Sequence, residues 1–200
     1  THGHFDHVGA IIDLVNLWGI PVYAHSLELP YLTGQKAYPT PDASVEGGLI
    51  AKISPIFPIQ LIDLGHHIHP LPEDGTVPFL PAFQFIPTPG HSTGHVSFFR
   101  ESDRTLIVGD AFTTVKQDAL YNVLTQKLTI EGPPRYLTPD WETAWQSVKL
   151  LHNLTPNIAI TGHGKPISGH QLTEALKVLD EQFDTIAIPE YGQFITHDDA

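Results

Sequence analysis

Four side chains able to ligate a metal fall within six residues at the start of the chain: His2, His4, Asp6 and His7. His2, His4 and Asp6 alternate, and in an extended segment alternating side chains leave the same face. His7 follows directly, at the entry to a helical pattern, where a turn would aim it back at the same point. Imidazole and carboxylate at this density suit zinc and similar ions. Two readings compete with this one: a polar turn with histidines by chance, and a copper chelate through a free amine on Thr1. A fold that uses the motif must carry it to further ligands elsewhere in the chain.

Three such positions stand out. His91 sits in a turn after Phe85-Ile86-Pro87, Asp110 follows Leu106-Ile107-Val108-Gly109, and His163 follows Ile158-Ala159-Ile160-Thr161-Gly162. Each lies at the carboxyl end of an apolar run, where α/β folds collect functional residues, and next to a glycine that lets the backbone come close to an ion. The chain has no cysteine and 13 histidines. Thiolate ligands and disulfides are therefore excluded, and the absence of cysteine fits a cytoplasmic location.

Apolar spacing predicts a helix over Val8 to Trp18 stopped by Gly19, then a strand over Pro21 to His25. Residues 30–50 read as loop, Gln60 to Leu64 as a strand, and Val77 to Phe85 as an edge or broken strand because of Pro78 and Pro81. His95 to Arg100 and Thr105 to Val108 read as strands joined by a turn at Ser102-Asp103-Arg104. Trp141 to Leu154 reads as an amphipathic helix capped by Asp140, Ile158 to Thr161 as a buried strand, and Leu172 to Phe183 as a helix. Irregular alternation of this kind predicts an α/β (α+β) architecture with mixed sheets in one domain spanning residues 1–200.

The chain carries 22 acidic against 10 basic residues, and two bound dications would move its formal charge from −12 to −8. The scattered Lys and Arg form no stripe, which argues against long nucleic acid as a partner. No apolar run approaches the roughly 20 residues of a membrane helix, so no membrane partner is expected. The partner expected is a small-molecule substrate.

Four separated motifs carry a resemblance. Thr-His-Gly-His-Phe-Asp-His (residues 1–7) resembles the HxHxDH signature of the metallo-β-lactamase superfamily, and TPGHSTGH, LIVGDAF and TGHG resemble its later metal motifs in the same order. The likeness leans to the glyoxalase II and acyl-homoserine lactonase branch. It implies an αββα sandwich of two mixed sheets flanked by helices. The family places strands before HxHxDH and none precede it here, so an upstream segment is expected to be missing and a homo-oligomer through an exposed sheet edge is an expectation too.

By the same resemblance His2, His4 and His91 would hold one divalent metal ion, Asp6, His7 and His163 a second, and Asp110 would bridge them. Zinc is the first expectation, with iron, manganese or cobalt as alternatives. Two dications against Asp6, Asp110 and a bridging hydroxide leave about one positive charge, which suits attack on an ester, thioester or lactone carbonyl. The rival activities are a mononuclear iron persulfide-type dioxygenase and a small-molecule phosphodiesterase of the same fold; a vestigial metal-binding scaffold is the non-enzymatic alternative. Phe112, Tyr121 and Tyr136 are candidate substrate-binding residues, with ordinary core as the equal alternative. His95 reads as a residue supporting the ligands, His66, His67 and His69 as a solvated loop, and His25 and His170 as structural or surface.

Overall fold

The computed structural model describes residues 1–46, 48–57, 61–116, 120–125 and 128–195. Its helices are α1 (Phe5–Val8), α2 (Ile11–Trp18), α3 (Leu29–Leu32), α4 (Leu49–Ile53), α5 (Leu120–Thr125), α6 (Trp141–Asn153), α7 (Gly169–Glu181) and α8 (Phe183–Ile186). Its strands are β1 (Val22–Ala24), β2 (Ile68–Pro70), β3 (Gln84–Pro87), β4 (Val96–Arg100), β5 (Thr105–Gly109), β6 (Ile158–Thr161) and β7 (Ile167–Ser168). Strands β3-β4-β5-β6-β7 form a mixed sheet in that order, parallel only between β5 and β6. Strands β1 and β2 form a separate parallel pair.

The main core lies between the five-stranded sheet and helices α6 and α7. Leu106, Val108 and Ala159 point from the sheet into Val148, Leu151, Leu172 and Leu176, all of them buried. Burial of this many aliphatic side chains, each contributing roughly 1.5–3 kcal/mol, holds the sheet and the two long helices as one unit. Asp140 caps α6 as its sequence position predicts: Oδ1 accepts from the Thr143 N–H at 3.0 Å and Oδ2 from the Thr143 hydroxyl at 2.7 Å. Among the described residues no helix is long and apolar enough to cross a membrane.

Several elements depart from the sequence expectation. The helix over Val8 to Trp18 is two helices, because Gly9 and Ala10 interrupt it and Ala10 leaves helical geometry (φ −110°, ψ 5°). Strand β6 is buried on one face only: Ala159 is fully buried, but Ile158 and Ile160 are 38% and 41% exposed. The reason is that one face packs on α7, whereas Ile160 lines a cavity with Phe98, Ile107, Val22 and Ile11. The Pro78–Phe83 stretch turns rather than pairs, and pairing begins at Gln84. Gln60 lies outside the described residues, and Asp63 makes a single bridge to Thr33.

Replacing Asp140 by Ala removes two acceptors at the α6 N-terminus. Chemical denaturation should show a loss of about 1 kcal/mol, and an unchanged midpoint would mean that the cap contributes nothing.

Candidate metal centre

The first motif does not stay extended through Asp6. His4 has extended backbone (φ −63°, ψ 151°), and α1 begins at the next residue, with the N–H groups of His7 and Val8 donating to the His4 carbonyl at 2.9 and 3.2 Å. Asp6 therefore leaves from a helical turn and not from the His2–His4 face. This break divides the motif. His2 and His4 turn to one side with His91, and Asp6 and His7 turn to the other with Asp110 and His163. In each group the potential ligand atoms lie within 4.8 Å of one another.

Within the first group, His4 Nδ1 stands 3.0 Å from His2 Nε2 and 2.9 Å from His91 Nε2. The tautomer of His91 follows from its other nitrogen. Thr138 donates its hydroxyl proton to the Pro134 carbonyl at 2.8 Å, so at 3.2 Å it accepts from His91 Nδ1–H. The proton on Nδ1 leaves the Nε2 lone pair facing the cluster, the arrangement a metal-ligating imidazole needs. Burial keeps all three rings neutral: it pushes the His4 pKa to about 4, against the charges of Asp110, Asp6 and Glu28, and drives His2 and His91 well below the ordinary 6.5.

Asp110 stands between the groups, 1% exposed, with Oδ2 at 3.2 Å from His163 Nε2, 3.4 Å from His7 Nε2 and 3.6 Å from His91 Nε2. Burial opposes its ionisation, but the facing imidazoles of His163 and His7 and the neighbouring His91 outweigh it and hold the carboxyl well below its usual range. Asp6 behaves alike: burial raises its pKa, and the hydrogen bond from His163 at 3.1 Å together with His7 lowers it further. Desolvation disfavours a charged His163, yet its bonds to Asp110 and Asp6 raise its pKa to about 10.

These residues fit divalent ions. Asp110 Oδ1 and His7 Nε2 are buried without a hydrogen-bond partner among the described residues. Such orphaned atoms cost free energy unless something satisfies them, and a carboxylate oxygen beside imidazole lone pairs is satisfied by a cation. Glycine makes the approach possible. A Cβ on Gly162 would strike Asp110 Oδ1, and one on Gly90 (φ 128°) would come within 2.5 Å of the α6 backbone at Ala144.

His95 supports the centre from behind. Its Nε2 accepts the Asp110 backbone N–H at 2.9 Å, so Nδ1 carries the proton and donates to Thr88 Oγ1 at 2.8 Å. Ser97 Oγ donates to the Val108 carbonyl at 2.8 Å and so accepts from the Thr88 hydroxyl at 3.0 Å. The chain of donors runs in one direction from the Asp110 amide to the strand that carries it.

Of the proposed substrate residues, Tyr136 lines a cavity with His4 and His91. Phe112 does not face substrate: its ring is fully buried in the main core. Tyr121 is 73% exposed on α5. His66 and His67 lie on a turn with their rings 4.0 Å apart, and His170 is exposed. Sequence reasoning missed Glu28, Tyr38, Thr88 and Thr138. Glu28 sits in an unremarked Leu-Glu-Leu run, and only its complete burial marks it.

The profile of the metallo-beta-lactamase superfamily matches residues 1–163. The chain belongs to that superfamily. It is 47% identical over 186 residues to the probable metallo-hydrolase YflN of Bacillus subtilis (strain 168), a match covering 93% of this chain and 70% of the relative. A hydroxyacylglutathione hydrolase, GloC of Haemophilus influenzae, is 27% identical over 168 residues, covering 82% and 66% of the two chains. The crystal structure of TTHA1623 in a di-iron-bound form superposes with a TM-score of 0.56 at 31% identity, covering 88% and 72%. The chain is thus a metallo-hydrolase-type superfamily member with a mixed α/β fold, and it spans about two thirds to three quarters of these relatives' lengths.

The opposed shifts give the metal-free protein a two-sided pH dependence. His163 is raised from 6.5 to about 10, so its pairing stabilises fully below 6.5 and is lost as pH rises through 10. His4 is lowered from 6.5 to about 4, so its contribution is full above 6.5 and lost as pH falls toward 4, with the depressed His2 and His91 acting in the same direction. Thermal melts of metal-free protein from acid to alkaline pH should peak near neutrality and fall on both sides. A flat profile would contradict these assignments.

Proposed function

We propose that this chain hydrolyses a small ester, thioester or lactone bearing an apolar acyl group, using two divalent metal ions. His2, His4 and His91 would hold one, Asp6, His7 and His163 the other, with Asp110 between them. The observation that carries the substrate class is a groove of about 410 Å³ that starts at His4 and runs along Phe5, Val8, Ile12, Leu61 and Ile62. A mainly apolar channel, with Lys36 on its wall, that reaches His4 of the polar cluster suits a substrate with a reactive carbonyl at one end and hydrocarbon at the other. Likeness to a hydroxyacylglutathione hydrolase supports acyl transfer to water. Zinc is the first choice of metal, and the di-iron form of TTHA1623 makes iron the second.

When bound, the ions would supply a Lewis acid and lower the pKa of water toward neutrality, to about 7. The chain's own groups do the rest. Ionised Asp110 and Asp6 would offset the positive charge, with Asp6 the more exposed of the two carboxylates at 29%. His95 fixes the Asp110 backbone. Tyr136 borders the space beside His4 and His91 where a carbonyl oxygen would lie.

A mononuclear iron oxygenase would use His2, His4, His91 and Asp110 and leave Asp6, His7 and His163 without a role. A phosphodiesterase would place an anionic substrate in a mainly apolar groove that offers one cation, Lys36, in a chain with formal charge −12. A cytoplasmic setting and a small-molecule partner belong to the same proposal.

The proposal is tested on a series of aliphatic lactones and thioesters. kcat/KM should rise about fourfold per methylene while the groove fills, Ile12→Asp should flatten that dependence, and Asp110→Ala should reduce turnover by at least about a thousandfold. Rates independent of acyl length would remove the groove from the account, and wild-type turnover in Asp110→Ala would remove the mechanism.

A further inference from the structure

Glu28 is a fully buried carboxylate with no Lys or Arg paired to it among the described residues. A charge so placed is costly unless donors surround it. Four do. Oε2 accepts from the Gly3 N–H at 3.1 Å and from the Tyr38 hydroxyl, and Oε1 accepts from the Ser92 hydroxyl at 2.7 Å and the Gly94 N–H at 3.0 Å. Gly3 lies between His2 and His4, and Ser92 directly follows His91. The segments joined in this way are 64 residues apart at Glu28 and Ser92.

The space allows little else. A Cβ on Gly94 would stand 2.7 Å from Glu28 Cγ, and one on Gly3 would stand 2.8 Å from the Tyr38 hydroxyl. Tyr38 in turn packs its ring 4.3 Å from that of His4 and stacks on Tyr31 at 4.0 Å. The Gly3 N–H also donates to the Tyr38 oxygen at 2.9 Å, so Tyr38 passes its own proton on to Glu28.

We infer that Glu28 is the positioning residue of the three-histidine cluster: its carboxylate fastens the turn carrying His2 and His4 to the turn carrying His91 and places a fixed negative charge behind them. This rests on the reading that the cluster binds a divalent cation. Each oxygen of Glu28 accepts one backbone N–H, and a backbone donor cannot reverse. A glutamine there turns its NH₂ toward one of those N–H groups in either orientation, so the fastening fails on one side while the volume is kept.

The test is zinc binding to the metal-free full chain by competition with a chelating dye, alongside thermal melts of the metal-free protein. Groups behind metal ligands typically contribute about 10- to 100-fold in metal affinity. Glu28→Gln should weaken one zinc equivalent by that factor and leave the other within about threefold, with the metal-free melting temperature lowered by a few degrees through the one lost acceptor. Two equivalents of wild-type affinity would overturn the inference. So would equal loss of both, which is the signature of a merely structural residue. If Glu28→Gln yields no folded protein, Ser92→Ala decides: a weakening of one equivalent beyond threefold supports the inference, and unchanged binding overturns it. Wild-type protein that takes up no zinc, iron, manganese or cobalt would overturn the binuclear proposal itself, and this inference with it.

Discussion

Asp110 is a buried carboxylate with one oxygen unpartnered and the other within 3.2–3.6 Å of three imidazoles. Everything around it answers the cost of that placement. His163 and Asp6 form a charged frame on one side, and neutral His2, His4 and His91 crowd the other. In the metal-free protein the proton on His163 balances part of the negative charge. A cation would take over that role and satisfy the orphaned atoms as well, which links metal binding to the stability of the folded centre.

Rigidity comes from elements that have no chemistry of their own. Strands β5 and β6 are packed on α6 and α7, and their carboxyl ends deliver Asp110 and His163. Gly90 lies against α6 and aims His91 inward, while Thr138, just before that helix, fixes its tautomer. The centre sits where three independent pieces of backbone meet: the Gly3 turn, the sheet ends and the loop before α6. Hydrogen bonds from His95 and Glu28 close the gaps between them.

Local pattern carried much of this. The strands that deliver Asp110 and His163, the Asp140 cap and the two long helices are readable because each is set by neighbours in sequence. The positions of His91, Asp110 and His163 were legible for the same reason, as His and Asp at glycine-flanked strand ends, and the structure brings them together with His2, His4, Asp6 and His7. What was not legible depends on distant contacts. The onset of α1 at Phe5 turns Asp6 away from the His2–His4 face, and no periodicity in a seven-residue motif reveals it. Phe112, two residues after Asp110, is buried in the main core. Glu28 has no motif because its partners lie 25 and 64 residues away. The pairing of β1 with β2, three residues each, was likewise beyond a reading of short apolar runs.

The most direct test of the two-cluster centre is elemental analysis of protein purified without added metal, repeated on Asp6→Ala. The account predicts about two metal ions per chain in the wild type and one in the variant, because Asp6 serves only the second cluster. One ion in both proteins would contradict it, leaving a mononuclear centre at His2, His4, His91 and Asp110.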